Sequence, residues 1–259
     1  MIDAKGLAKR FGEVAAVREV SFRAADGRIT GLLGPNGAGK STTLRILCTV
    51  LRPTAGDAWI DGVSVTADPL ATRQRIGVLP HGAGVYPQLT ARENIEYFGE
   101  LYGLERRERV QRAQELVSLL EMGDFADRRA KGLSQGQKLK TALARALVHK
   151  PRNILLDEPT NGLDVMAVRK LRALLARLRS EGHCILFSSH VMQEVAALCD
   201  EVVVIAAGTV VASGTPEALR ARAGGGNLEE AFVELIGAGE APPPGAPRSG
   251  APPSHAAPP

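Results

Sequence analysis

Four groups of residues in this 259-residue chain combine types and spacings that can do chemistry. The first is Gly34, Pro35, Asn36, Gly37, Ala38, Gly39, Lys40, Ser41 and Thr42, which fills the pattern G-x-x-x-x-G-K-[ST]. Glycines there let backbone N–H groups turn inward around a polyphosphate, and the N-terminus of the following helix adds partial positive charge. Lys40 is expected to reach the β- and γ-phosphates, with the Ser41 hydroxyl on a magnesium ion. The second group is Asp157-Glu158, closing the apolar run Asn153-Ile-Leu-Leu. Adjacent carboxylates repel and resist desolvation, so packing alone seldom puts them at the end of a buried strand. Asp157 suits magnesium, and Glu158 suits the polarisation of an attacking water. Ser134 and Gln137 form the third group, a capping box before a helix. As an N-cap Ser134 is merely structural, but Gly136 inside the first turn costs helix stability unless something approaches the backbone closely. An anion is the natural guest at such a helix end. The fourth is His190, which follows Ser188-Ser189 after the strand Cys184 to Phe187. A lone histidine after a strand is usually structural; its place at the same sheet edge as Asp157 gives it a catalytic reading.

The elements that must hold these groups follow from pattern. Residues 2 to 33 read as β-rich, with runs at Ala15 to Phe22 and Ile29 to Leu33 around the turn Asp26-Gly27. A helix is expected from Thr42 to Leu51, a loop over 51 to 57, a strand entering a turn over 58 to 62, and a strand over 75 to 79. At Thr90 the texture turns helical: Thr90 and Glu93 make a T-x-x-E box opening a helix through Tyr102, followed by a second helix from Arg106 to Leu120. Arg106, Arg107, Arg109 and Arg112 read as a solvated face of that helix. Further helices are expected over 139 to 149 and 165 to 180, then two strands flanking Ala207-Gly208-Thr209, and a helix capped by Thr215-Pro216-Glu217. A short helix is expected over 228 to 236. From Ala238 to Pro259 the chain is Pro, Ala, Gly and Ser with little apolar bulk, a composition that predicts disorder. Phe11, just before Gly12, is read either as an edge core residue or as a base-stacking ring.

Bulk properties narrow the class. Hydrophobic content of 44% and charged content of 23% fit an ordinary globular protein. The net charge of +4 is small and interspersed, so no nucleic-acid partner is expected. Cys48, Cys184 and Cys199 lack metal-site or CxxC spacing and read as reduced core residues. No signal peptide is expected, and no run approaches the length needed to cross a bilayer, so any membrane-spanning part must come from another chain.

Together the motifs resemble the ATP-binding subunit of an ABC transporter over about residues 2 to 236. Leu133-Ser134-Gln135-Gly136-Gln137 is similar to the ABC signature, with Gln135 in place of the usual first glycine. Ile154-Leu-Leu-Asp157-Glu158 resembles the Walker B strand, Gly162-Leu-Asp164 the D-loop, and His190 the switch histidine. The resemblance implies an α/β fold: a P-loop NTPase cassette with a RecA-like core, an antiparallel β subdomain and an α-helical subdomain at about 90 to 150. It also implies ATP and Mg2+ as cofactors, a homodimer of cassettes around two ATP molecules, and a separate transmembrane permease subunit. The chain would then work at the cytoplasmic face of the cell membrane. Phe11 would stack on adenine, His190 would contact the γ-phosphate, and Ser134, Gly136 and Gln137 would seal the nucleotide bound to the opposite copy.

Two positions depart from that pattern. The strand Ile76 to Leu79 usually ends in glutamine, which touches magnesium and faces the membrane subunit; here the chain has Pro80-His81, with histidine as the candidate ligand. Asn153 puts a polar residue where the Walker B strand is usually apolar. The stretch Ile76 to Asn94 is similar to the sodium-efflux and drug-efflux exporter branch. The competing class is a soluble ABC ATPase acting on ribosomes or nucleic acid. Such proteins carry two cassettes or a long coiled coil, for which the interval between phosphate loop and signature leaves no room.

Overall fold

The computed structural model describes residues 1–82, 84–222 and 232. The helix expected over 228 to 236, Phe232 aside, and the tail from Ala238 lie outside the described residues. Ten strands form one curled sheet. In chain order they are β1 (Ile2–Phe11), β2 (Val14–Ala24), β3 (Ile29–Leu33), β4 (Ala55–Ile60), β5 (Val63–Ser64), β6 (Ile76–Leu79), β7 (Asn153–Asp157), β8 (Cys184–Ser189), β9 (Glu201–Ala206) and β10 (Thr209–Gly214). Across the sheet the order is β5-β4-β1-β2-β10-β9-β3-β8-β7-β6. Strands β9, β3, β8, β7 and β6 run parallel, whereas β5, β4, β1 and β2 pair antiparallel.

The parallel strands read as unbroken apolar runs because both faces are covered. Their period-two alternation divides the core. Ile29, Leu33, Ile154, Leu156, Ile185 and Phe187 pack into one hydrophobic cluster. The residues between them, Leu32, Leu155, Cys184 and Leu186, join a second cluster with β1, β2, β4 and the helix α1 (Lys40–Leu47).

The first cluster is closed by α3 (Ala91–Leu101), α4 (Arg106–Leu119), α5 (Gln135–Leu147) and α6 (Val165–Ser180). Among the described residues three shorter α-helices remain: α2 (Pro69–Arg73), α7 (Met192–Leu198) and α8 (Pro216–Arg222).

Several boundaries differ from the sequence expectation. Helix α5 starts at Gln135, directly after its cap Ser134, and not at Leu139; the capping box itself sets the start. Helix α1 ends at Leu47, short of Leu51, because Thr49 turns to φ 59°. Strand β4 begins at Ala55 inside the expected loop. There Gly56, at φ +74°, passes so close to Gly6 that a Cβ would lie 2.1 Å from its carbonyl oxygen, and the β1–β4 register shifts between Lys5 and Ala8. The polar Asn153 is buried but satisfied: its amide donates to Asp61 Oδ2 at 2.8 Å and to the Arg75 carbonyl at 3.2 Å. It thereby ties the start of β7 to the β4–β5 turn.

Candidate functional site

The phosphate loop leaves the carboxyl end of β3, a strand buried along its whole length. Two of its glycines are demanded by close approach. A Cβ on Gly34 would sit 2.2 Å from the Ile205 carbonyl oxygen, and Gly39, at φ +107°, faces the Ala16 oxygen at 2.6 Å. The loop is pinned to its surroundings by Gly208 N donating to Ala38 O at 3.0 Å. Lys40 is buried, and its ammonium donates to the carbonyls of Gly34 (2.7 Å) and Pro35 (3.1 Å). Burial pulls its pKa below the ordinary lysine value, while the charges of Glu158 and Asp157 oppose that shift. Pro35, Asn36 and Gly37 remain exposed at the mouth.

Asp157 is only 7% exposed, at the end of β7. Its Oδ1 accepts from Ser188 Oγ at 2.6 Å and from Ser41 Oγ at 3.1 Å. The phosphate loop and the carboxylate pair therefore meet directly. A hydroxyl beside one carboxylate is an all-oxygen donor set suited to a magnesium ion that takes its remaining ligands from phosphates and water. Among the described residues no three His, Cys, Asp or Glu side chains gather to cage a metal on their own.

Glu158 follows with its backbone at φ 50°, a left-handed conformation uncommon for a residue with a side chain. Its N–H donates to Ser188 Oγ at 3.0 Å. The carboxylate is flanked by two histidines: His190 Nδ1 lies 3.2 Å from Oε1, and His81 Nδ1 lies 3.6 Å from Oε2. The structure thus brings His81 to Glu158, in a cavity that His81 and Glu158 line together with Asp157. Thr160 and Ser189 both donate to Glu194 Oε2, at 2.6 and 3.2 Å, which fixes the loops carrying Glu158 and His190.

Ser188 and Glu194 are the site residues that sequence reasoning missed. The Ser188-Ser189 pair at a strand end was the available signal, but its meaning depends on the Asp157–Ser188 register between β7 and β8.

The Ser134 capping box is formed as expected, with Gln137 N donating to Ser134 Oγ at 3.3 Å and Ser134 N to Gln137 Oε1 at 3.0 Å. Ser134, Gly136 and Gln137 line a groove of about 560 Å³ shared with Asp164, Met166 and Ala167, and no phosphate-loop residue lines it. The helix tip therefore stands apart from the chain's own phosphate loop. Asp164 itself caps α6, accepting from Ala167 N at 2.8 Å. Phe11 is 48% exposed and belongs to neither hydrophobic cluster, so the edge-core reading fails; the Lys9 ammonium lies 5.3 Å from its ring centroid.

A glycine cradle and a carboxylate pair, converging at the carboxyl edge of a parallel sheet, define a P-loop nucleoside triphosphatase. Comparison with known proteins narrows this class. The family model described as ABC transporter matches residues 17–161. The chain is 44% identical over 224 residues to the ABC transporter ATP-binding protein NatA of Bacillus subtilis (strain 168), covering 85% of this chain and 91% of that protein. It is 40% identical over 222 residues to the Nod factor export ATP-binding protein I of Burkholderia lata, covering 84% and 72%.

Among solved structures, an ATP-binding subunit of an ABC transporter superposes with a TM-score of 0.82 at 28% identity, covering 91% of this chain and 99% of that one. The dimeric cassette MJ0796 superposes at 0.76 with 30% identity, covering 83% and 98%, and its structure is also known bound to ADP and Pi. The chain belongs to the ABC transporter family of ATP-binding proteins and is an ATP-hydrolysing cassette.

Proposed function

We propose that the chain is the ATPase subunit of an exporter, acting as a pair of cassettes that close around two ATP molecules and drive a separate membrane-spanning subunit. The observation that carries this reading is the separation of the Ser134 helix tip from the chain's own phosphate loop. An anion-seeking helix end with no anion to receive from its own chain is completed by a second copy. In this reading residues 2–236 are the cassette, with the helical portion at about 90–150.

Within each site the residues divide the work. Lys40 exchanges its two carbonyl partners for β- and γ-phosphate oxygens, and Phe11 stacks on adenine. Ser41 and Asp157 would hold a magnesium ion, which would neutralise charge on the phosphates. Glu158 polarises the attacking water, and His190 orients its carboxylate beside the γ-phosphate. Loss of the γ-phosphate restores repulsion and reopens the pair.

Among the described residues no helix is long and apolar enough to cross a membrane. Attachment to the membrane-spanning subunit places the cassette at the cytoplasmic face of the cell membrane. The resemblance to the efflux branch makes sodium ions or drugs the cargo to test in vesicles, and the relative named for Nod factor export supports the outward direction.

The decisive experiment uses Glu158→Gln. This variant is expected to bind ATP, to lose turnover by at least about a hundredfold, and to run as a dimer on size exclusion only with ATP. A nucleotide-loaded monomer at every concentration would overturn the paired-site reading.

A further inference from the structure

We propose that His81 is a positioning residue for Glu158, holding the carboxylate oxygen opposite the one held by His190. The proposal rests on Glu158 being the base that polarises water. Its own basis is topological. Strand β7 lies between β8 and β6 in the sheet, and Glu158 follows its last residue. Leu79 pairs with Leu156, so two residues further on His81 stands level with Glu158. On the other side Asp157 pairs with Ser188, which brings His190 to the same edge. Each neighbouring strand therefore delivers one histidine, and the two Nδ1 atoms meet different oxygens, at 3.2 Å on Oε1 and 3.6 Å on Oε2.

Such a bracket answers a specific need. The last torsion of a glutamate is broad and nearly two-fold, so a carboxylate held at one oxygen still samples orientations that do not aim a lone pair at the water. The Glu158 backbone is already fixed at φ 50° by Ser188, leaving the side chain as the remaining freedom. A hydrogen bond at one oxygen and a close imidazole at the other restrict it. The 3.6 Å approach is of ion-pair length, and catalytic contacts of this kind tighten when substrate binds. His81 serves whenever Nδ1 carries a hydrogen, as it does in the imidazolium and in one neutral tautomer.

The rival role is metal ligation, and the two predict different variants. Asparagine places its amide nitrogen where Nδ1 stands, whereas glutamine reaches to the place of Nε2. His81→Ala is expected to lower kcat about tenfold while KM for ATP and the half-saturating Mg2+ concentration stay within about twofold. His81→Asn should recover most of the loss and His81→Gln little of it. In single-turnover hydrolysis, adding His81→Ala to Glu158→Gln should cause no further loss, because the group it positions is gone. Retained binding of a fluorescent ATP analogue shows that the variants are folded.

A raised Mg2+ requirement in His81→Ala, or full rescue by glutamine, would assign His81 to the metal and overturn the proposal. Unchanged kcat, or a further loss in the Glu158→Gln background, would overturn it as well. Should Glu158→Gln itself hydrolyse ATP normally, the failure lies in the reading of Glu158 and is seen before any His81 variant is made.

Discussion

Gly136 separates functional need from folding need more cleanly than any other residue of the site. At Gly34 and Gly39 the chain's own backbone forbids a Cβ. At Gly136 nothing does: the nearest atom to an added Cβ is that of Ala167 at 3.9 Å, an ordinary contact. Glycine in a helix costs about 0.5–1 kcal/mol relative to alanine, and no internal contact here recovers it. Gly136→Ala is therefore expected to raise the unfolding free energy by up to that amount, while ATP turnover falls on the order of a hundredfold because the bare backbone can no longer meet a phosphate closely. Thermal melts and phosphate release measure the two effects; a fully active, stabilised variant would show that the helix tip receives no ligand. This contrast was half legible in the sequence. The pattern from Gly34 to Ser41 and the oddity of Gly136 could both be read there, because each is local. The Ser188–Asp157 bond and the His81–Glu158 approach could not, since each joins two strands whose register only the assembled sheet defines.

At the scale of elements, the signals that survived folding are those whose partners lie within one turn. The Thr90 box is complete: Glu93 N donates to Thr90 Oγ1 at 3.1 Å and Thr90 N to Glu93 Oε2 at 2.7 Å, and α3 begins where the sequence placed it. Thr90→Ala is expected to cost about 1 kcal/mol, read as a lower denaturant midpoint with an unchanged slope. A midpoint equal to the parent's would mean that the helix start is held by packing alone. The same logic explains the misplaced boundaries. The start of β4 depends on Gly56 passing Gly6, an approach between segments about fifty residues apart, and its Gly-Asp sequence otherwise looks like loop. Helices α2 and α7 have five and seven residues, too few for a helical period to show.

The whole molecule depends on how the helical layer is joined to the sheet, and His149 makes one of those joints. It lies just beyond α5, stacks on Tyr102 at the end of α3 with ring centroids 3.6 Å apart and planes 8° apart, and bonds the Ile76 carbonyl of β6 through Nε2 at 2.9 Å. A carbonyl can only accept, so Nε2 carries the hydrogen. Nδ1 is buried without a partner among the described residues, as suits a neutral ring. Burial lowers the pKa from 6.5 to about 4, outweighing the opposing bond to Ile76. The sign of the linkage follows. Between about pH 6.5 and about pH 4 the unfolded chain binds a proton that the folded chain refuses, so this residue makes stability fall as pH falls across that window and adds no further slope below it. Carboxylates titrate in the lower part of the same range, so the contribution is isolated by difference. His149→Gln keeps a donor for the Ile76 carbonyl and cannot titrate. Urea midpoints of the two proteins, measured from pH 7 to pH 4, are expected to converge as the parent loses stability faster. Parallel curves would mean that His149 binds its proton equally well in the folded and the unfolded chain, so that burial does not disfavour the charged ring.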